Sequence, residues 1–183
     1  MSIIITGNPG VGKHTVAQEL LKNGDHELID INEVAKKSNH IQHNNDSIEV
    51  NVDGLKNDVK SLISKKSLIV GHLAPYVVGE SDVSFVIILR KSPYKLLDVY
   101  KNREYDRNKI QENVGSEILG IITHDAITEF GNDKTSQIDV TEKTPEEVVK
   151  IIQNIIRKEN YNDEVAWLSE IKQKDALKKF FDY

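Results

Sequence analysis

The amino-acid sequence predicts a three-layer α/β fold, in which helices flank a central parallel sheet of about five strands. Short apolar runs alternate along the chain with stretches of helical periodicity. The run at residues 83–89 is almost continuously apolar, as expected for a strand that is covered on both faces. In addition, the first apolar run leads directly into a glycine-rich loop. In such folds ligands bind where loops leave the carboxyl ends of the strands.

The glycine-rich loop spans residues 7–15, and its G-x-x-x-x-G-K spacing is typical of phosphate-binding loops. Residues 3–5 before it predict a strand, and residues 15–22 after it predict a helix. This order gathers backbone N–H groups and a helix N-terminus around one anion. Lys13 adds a positive charge that can reach the β- and γ-phosphates of a nucleotide. A tight strand-to-helix turn with an incidental lysine is the alternative.

The residue after Lys13 departs from the common form of this loop. Most such loops carry Ser or Thr there, and its hydroxyl binds Mg²⁺. Here the residue is His14, followed by Thr15. His14 is expected either to touch phosphate or to face solvent at the start of the helix.

The rest of the chain predicts further strands and helices in alternation. Apolar runs predict strands at residues 28–29, 68–70 and 138–140. Helical spacing and capping signals predict helices at residues 53–64, 93–103, 110–130 and 145–158. Gly131 is expected to end the long helix that begins at Ile110.

Composition narrows the classes of function. A length of 183 residues favours a single domain with a sizeable core. The net charge of −5 gives no direct signal for nucleic-acid binding. The absence of cysteine excludes disulfides and thiolate metal sites. No apolar run approaches membrane-spanning length, and the chain enters a strand at its start, so we expect no membrane association and a cytoplasmic protein.

Three segments interrupt the α/β pattern. Residues 38–47 are polar and predict a mobile or substrate-facing element, in which His40 and His43 are expected to be surface histidines. Residues 101–109 contain four cations between two helices. They are either a solvated helix junction or a lid that places cations on phosphates. The tail at 159–183 has helical spacing, and it either packs on the domain or presents an apolar stripe to a partner.

Taken together, these motifs resemble the small adenylate kinases of archaea and of the eukaryotic nucleus, a family that also acts in small-ribosomal-subunit maturation. The likeness runs from Ser2 to about Trp167. The most specific stretch begins Arg103-Glu104-Tyr105-Asp106 and resembles the short lid of that family. The other matching segments are residues 7–15, 30–35, 71–73, 89–90, 138–141 and 167–168.

The resemblance implies a P-loop kinase fold and a phosphoryl transfer from ATP to AMP with Mg²⁺, together with possible ATPase activity. The kinase core would span residues 1–160, with an acceptor-binding insertion at about 31–52 and a lid at about 103–110. The tail at 161–183 would pack on this core.

The same resemblance assigns roles to single residues. Lys13 and Arg103 would be catalytic, and Thr15 would contact Mg²⁺ or its water. The residues that would hold ATP are Gly10, Val11, Gly12, Lys13, His14, Thr15, Arg90 and Arg103. The residues that would serve the acceptor are Asp30, Lys36 and His72.

The chain departs from this family at three places. Val70 stands where an acid is usual before Gly71, no arginine occurs before Arg90, and Asn51 replaces an expected acidic residue. These departures keep an alternative open: an ATPase or nucleotide switch that assists assembly of the small ribosomal subunit, with a ribosomal protein as its partner. A nucleotide binder with little turnover and a kinase for another small acceptor are further alternatives.

Overall fold

The structure, a computed structural model, describes residues 2–22, 24–44 and 47–181; for residues 41–44 and 47–49 only the backbone is described. Its strands, in chain order, are β1 (Ile3–Thr6), β2 (Glu27–Asp30), β3 (Ile41–Asn44), β4 (Ser47–Val50), β5 (Ser67–Val70), β6 (Phe85–Arg90) and β7 (Thr135–Asp139). Five of them form one parallel sheet in the order β2-β5-β1-β6-β7. The predicted central parallel sheet is therefore confirmed.

Helices cover both faces of this sheet. They are α1 (Lys13–Lys22), α2 (Ile31–Lys37), α3 (Val52–Leu62), α4 (Ala74–Val77), α5 (Pro93–Asn102), α6 (Arg107–Leu119), α7 (Ile121–Phe130), α8 (Pro145–Ile156) and α9 (Trp167–Gln173). The predicted capping box at the start of α8 is present, because Thr144 and Glu147 exchange side-chain to backbone hydrogen bonds. Within the described residues, no helix is both long enough and apolar enough to cross a bilayer.

The core consists of two apolar clusters, one on each face of the sheet. Alternate residues of β1 point to opposite faces. The α1-side cluster includes Ile3, Ile5, Val16, Leu20, Leu96, Tyr100, Val114, Ile118, Val148, Ile152, Ile171 and Phe180. The α3-side cluster includes Ile4, Ile31, Ala35, Leu55, Val59, Ala74, Val77, Ala126 and Phe130. This arrangement is the predicted three-layer fold.

The prediction of one continuous helix over residues 110–130 is wrong. Gly120 adopts a left-handed conformation (φ 68°, ψ 32°) and separates α6 from α7. The apolar spacing continues across this break because both helices bury one face, but against different sides of the sheet. Val114 of α6 belongs to the α1-side cluster, and Ala126 of α7 belongs to the α3-side cluster. Periodicity alone could not reveal that change of partner.

The structure adds detail to three other predicted segments. The polar segment 38–47 contains β3 and the first residue of β4, which pair antiparallel; Asn45 and Asp46 lie outside the described residues. Strand β7 begins three residues earlier than predicted, because it is an edge strand and its first residues are polar. In the tail, helical geometry is limited to α9 and a 3₁₀ turn at Leu177–Lys179, and Ile171 and Phe180 pack into the α1-side cluster.

Candidate nucleotide-binding site

The glycine loop connects β1 to α1 at the carboxyl edge of the sheet, as predicted. Gly7 has φ 135°, and a Cβ at this position would lie 2.3 Å from the carbonyl oxygen of Leu89. Gly10 has φ 86°, and its Cβ would press against Tyr100 on α5. Only glycine combines these dihedral angles with such close backbone approach. The loop is therefore held between the end of β6 and helix α5.

Lys13 is the first residue of α1, and only 5% of its surface is exposed. Its Nζ donates to the carbonyl oxygens of Gly7 and Asn8, each at 2.9 Å. Burial, together with the positive charge of Arg103, lowers the pKa of the Lys13 ammonium to about 8. A buried cation bridging the loop is a suitable partner for a phosphate anion.

The predicted lid begins in the turn at residues 103–106, here named the lid turn, which is attached to the glycine loop through an aromatic pair. Tyr105 stacks on Tyr100, with ring centroids 5.5 Å apart and an interplanar angle of 13°. The hydroxyl of Tyr100 donates to the carbonyl oxygen of Pro9 at 2.5 Å. Burial raises the pKa of this hydroxyl, so it stays protonated as a donor at neutral pH.

Arg103 ends helix α5 in this turn, and its backbone N–H donates to the carbonyls of Val99 and Tyr100. Its side chain is exposed, and its charge acts on the pKa of both Lys13 and Tyr100. The structure thus brings Arg103 to the same region as the buried lysine. The aromatic pair determines where this exposed arginine emerges.

Arg90, in contrast, does not face open space at the loop. It lies at the end of β6, is 4% exposed, and its Nε donates to Glu117 Oε1 at 2.7 Å. Its Nη1 donates to Thr123 and Gln137, and its Nη2 donates to the Glu117 carbonyl at 2.7 Å. The guanidinium of Arg90 is thus fully engaged with protein partners, and its expected contact with ATP stays a prediction.

Glu117 is a site residue that sequence reasoning missed. Its side chain is fully buried, and its Oε2 accepts from the Asn8 side chain at 2.7 Å. The sequence did contain a signal, because position 117 lies on the apolar stripe of α6, three residues after Val114 and next to Ile118. A carboxylate on a buried helix face requires partners. The sequence could not show which partners these are.

On the acceptor side, Asp30 connects the glycine loop to helix α2. One carboxylate oxygen caps α2 by accepting from Asn32 N at 2.9 Å and Glu33 N at 3.3 Å. The other oxygen lies 2.7 Å from His14 Nε2. His14 was expected either to touch phosphate or to face solvent. Half of its side chain is exposed, but its ring also contacts Asp30, a partner that was not expected.

The other two predicted acceptor residues differ in their surroundings. Burial lowers the pKa of His72 to about 4, with a further contribution from the nearby charge of Lys13. His72 is therefore neutral at physiological pH. Lys36 is exposed and already forms an ion pair with Glu33 at 2.9 Å. Asn51, where an acid was expected, caps α3 by accepting from Gly54 N at 3.1 Å.

Two oxygen donors near the loop fit a hard cation that reaches the protein through phosphates and water. Thr15 is exposed at the start of α1, and the Asp30 carboxylate is partly exposed beside His14. Val70 is fully buried in the α1-side cluster and offers no ligand. Among the residues that the structure describes, no group of three or more His, Asp or Glu side chains could hold a metal by itself.

A cavity of about 820 Å³ lies elsewhere, at the edge of the sheet next to β7. Residues of β7 and of the segment at 158–162 line it. No residue of the glycine loop, the lid turn or α2 contributes to its lining. This cavity is therefore separate from the candidate nucleotide site.

A parallel sheet with a glycine loop, a buried loop lysine and a lid arginine defines a P-loop protein of the nucleotide-kinase type. Residues 3–120 match the family described as "AAA domain". A "Putative adenylate kinase" of Thermococcus kodakarensis is 33% identical over 159 residues, covering 86% of each chain. One from Pyrococcus furiosus is 36% identical over 157 residues, covering 85% of this chain and 84% of the relative. The chain belongs to this adenylate kinase-like family of AAA-domain proteins.

Two solved structures share the fold at low sequence identity. The shikimate kinase of Bacteroides thetaiotaomicron has a TM-score of 0.55 and 15% identity, covering 86% of this chain and 98% of its own. The YorR protein of Bacillus subtilis, solved in complex with phosphorylated GDP, has a TM-score of 0.62 and 16% identity, covering 86% and 96%. These likenesses establish the α/β P-loop fold.

Proposed function

We propose that this protein transfers the γ-phosphoryl group of ATP to AMP and so forms two molecules of ADP. The observation that carries this proposal is the tethering of the lid turn to the glycine loop through Tyr100 and Tyr105, which leaves Arg103 exposed and its charge acting on buried Lys13. Phosphoryl transfer depends mainly on alignment and on cations around the equatorial oxygens. The names of the archaeal relatives support the choice of reaction.

On the donor side, the loop N–H groups and Lys13 would bind the β- and γ-phosphates of ATP. Thr15 and Asp30 would hold Mg²⁺, directly or through its water, and the ion would neutralise charge on the phosphates. Arg103 would contact the equatorial oxygens of the transferring phosphoryl group, which carry charge in the transition state. A closed lid would also exclude water and favour transfer over hydrolysis.

On the acceptor side, Asp30, His72 and Lys36 would contact AMP. Because its pKa is low, His72 would contribute a hydrogen bond and no charge. Lys36 would have to exchange Glu33 for the AMP phosphate. As a point charge, lysine would hold that phosphate with less directional precision than arginine.

A second candidate function is ATP hydrolysis without a nucleotide acceptor, used as a switch in assembling the small ribosomal subunit. One observation favours it: the acceptor side contains no arginine, and its lysine is already paired. The ribosomal-protein partner rests on the family resemblance alone, and the cytoplasmic location rests on the sequence composition alone.

An assay with and without AMP separates the two functions. We expect ADP to form from ATP and AMP, with little phosphate release when AMP is omitted. Lys13→Met should abolish both signals, and Lys22→Met is the matched control because Lys22 is exposed on the same helix. A panel of AMP, CMP, UMP and GMP identifies the acceptor base. If AMP does not change the release of phosphate, the protein hydrolyses ATP, and the second candidate function takes the place of the first.

A further inference from the structure

The buried carboxylate of Glu117 joins four parts of the chain that lie far apart in sequence. Oε1 accepts from Arg90 Nε at 2.7 Å, from Lys91 N at 3.2 Å and from Trp167 Nε1 at 3.0 Å. Oε2 accepts from Asn8 Nδ2 at 2.7 Å. The glycine loop, the end of β6, helix α6 and helix α9 therefore meet at one side chain.

A carboxylate in this position would be costly without its donors, because burial removes its hydration. The donors are complementary: Arg90 supplies the opposite charge, and Asn8, Lys91 and Trp167 supply neutral N–H groups. If one donor is lost, the other three remain, but the carboxylate then has one hydrogen bond fewer and shifts towards them. A change at one donor therefore alters the hydrogen bonds of the others.

Asn8 is the donor that connects this network to the nucleotide site. It is 3% exposed, and its carbonyl oxygen is also an acceptor for Lys13 Nζ at 2.9 Å. Asn8 therefore contacts Glu117 through its side chain and Lys13 through its backbone. A phosphate that draws Lys13 away from this carbonyl would also act on Asn8.

Trp167 is the donor that connects the network to the tail. It is the first residue of α9 and the only tryptophan of the chain. Its indole N–H reaches Glu117 across 50 positions of sequence. The emission of an indole depends on its hydrogen bond and on neighbouring charge, so Trp167 can report on Glu117.

We propose that Glu117 is a positioning residue of the nucleotide site, holding the glycine loop through Asn8 and coupling it to the C-terminal helix through Trp167. The inference rests on nucleotide binding at the loop, as in the proposed function, but not on the reaction that follows. Nucleotide binding then alters the surroundings of Trp167, and loss of the Trp167 hydrogen bond weakens nucleotide binding.

The first experiment titrates the wild-type protein with ADP and records Trp167 emission beside calorimetric binding. We expect the emission to change with the same midpoint as the heat. In Asn8→Leu, which removes the loop's bond to Glu117 but leaves the other three donors, ADP should bind more weakly. At calorimetric saturation its emission should no longer respond.

The second experiment measures ADP affinity in Trp167→Phe, which keeps an aromatic ring but removes the donor. We expect a loss of roughly three- to tenfold, the usual net contribution of one intramolecular hydrogen bond. Tyr161→Phe is the matched control, since it removes a partly buried tail hydrogen bond, to Asp163, that does not involve Glu117. This control should bind ADP as the wild type does, even if its melting temperature falls as much as that of Trp167→Phe.

The outcomes separate this inference from the proposed function. If ADP binds but Trp167 emission stays constant, or if Trp167→Phe keeps full affinity, Glu117 is only part of the core and the inference is wrong. If these coupling results appear but no phosphoryl group reaches AMP, the coupling stands and the proposed reaction fails. If no adenine nucleotide binds at all, both are overturned.

Discussion

The proposed donor side and the proposed acceptor side of this site are held in place by different kinds of polar contact. On the donor side, Asn8 bonds to Glu117 across 109 positions and Tyr100 bonds to Pro9 across 91. On the acceptor side, Lys36 pairs with Glu33 three positions away, and Asn51 caps α3 through Gly54, also three positions away. The polar contacts that hold the donor loop reach far along the chain, whereas these polar contacts of α2 and α3 are local, although both helices also pack into the α3-side cluster.

This difference has a functional consequence. A loop fixed by buried long-range bonds is preorganised, so its interactions are available to the transition state without reordering. Exposed local pairs are weak and exchange partners at little cost. We therefore expect substitutions on the donor side to lower kcat, and substitutions on the acceptor side to change mainly KM for the acceptor.

The largest expected effect tests the lid of the donor side. Arg103→Ala should lower kcat by roughly 10³-fold or more while KM for ATP changes little, because the guanidinium meets charge that develops in the transition state. Steady-state kinetics with ATP and AMP measure this. Lys101→Ala, another exposed cation of the same turn, should leave kcat nearly unchanged. A rise in KM alone would make Arg103 a ground-state binding residue.

The next effect tests how tightly the core encloses the donor side. Val70 is fully buried. Val70→Asp should therefore reduce the free energy of unfolding by about 2–5 kcal/mol, because the new carboxyl group would be buried without a hydrogen-bond partner. Urea denaturation measures this, and Val70→Thr, of similar volume, should lose less. An aspartate variant with wild-type stability and a lower Mg²⁺ requirement would instead place position 70 at the metal.

A smaller effect concerns the pH dependence of ATP binding through Lys13. In the free protein its pKa is about 8, and bound phosphates raise that pKa. ATP affinity is therefore full below pH 8 and falls by up to about tenfold per pH unit above it, with uptake of a proton on binding. Calorimetry in buffers of different ionisation enthalpy measures that uptake. Lys13→Met should bind weakly with no pH dependence in this range.

The smallest expected effect lies on the acceptor side. Lys36→Ala should raise KM for AMP by about threefold to fivefold and leave kcat and KM for ATP unchanged, because an exposed lysine contributes little binding energy. Lys37→Ala, the neighbouring exposed lysine, is the control and should have less effect. If Lys36→Ala lowered kcat as strongly as Arg103→Ala does, the contrast between the two sides would not hold.

Much of the fold could be predicted because its signals are local. The glycine loop, the strand at β1 and the capping box of α8 each depend on residues within a few positions of one another. The break at Gly120 was missed because glycine is tolerated within helices, and only packing of α6 and α7 on opposite faces required the left-handed turn. The β3–β4 hairpin was missed because its strands are short and polar.

By itself, the sequence determined that a phosphate-binding loop follows the first strand of an α/β fold. That conclusion needs only contiguous backbone N–H groups, glycines and a lysine, whose geometry is set by neighbouring residues. The tertiary structure decided which arginine near this loop is buried and which is exposed. Arg90 and Arg103 are the same residue type, but Arg90 bonds to Glu117 in the core, while Arg103 is exposed close to the stacked Tyr100–Tyr105 pair. Burial and partners come from elements far along the chain, so only packing could separate the two arginines.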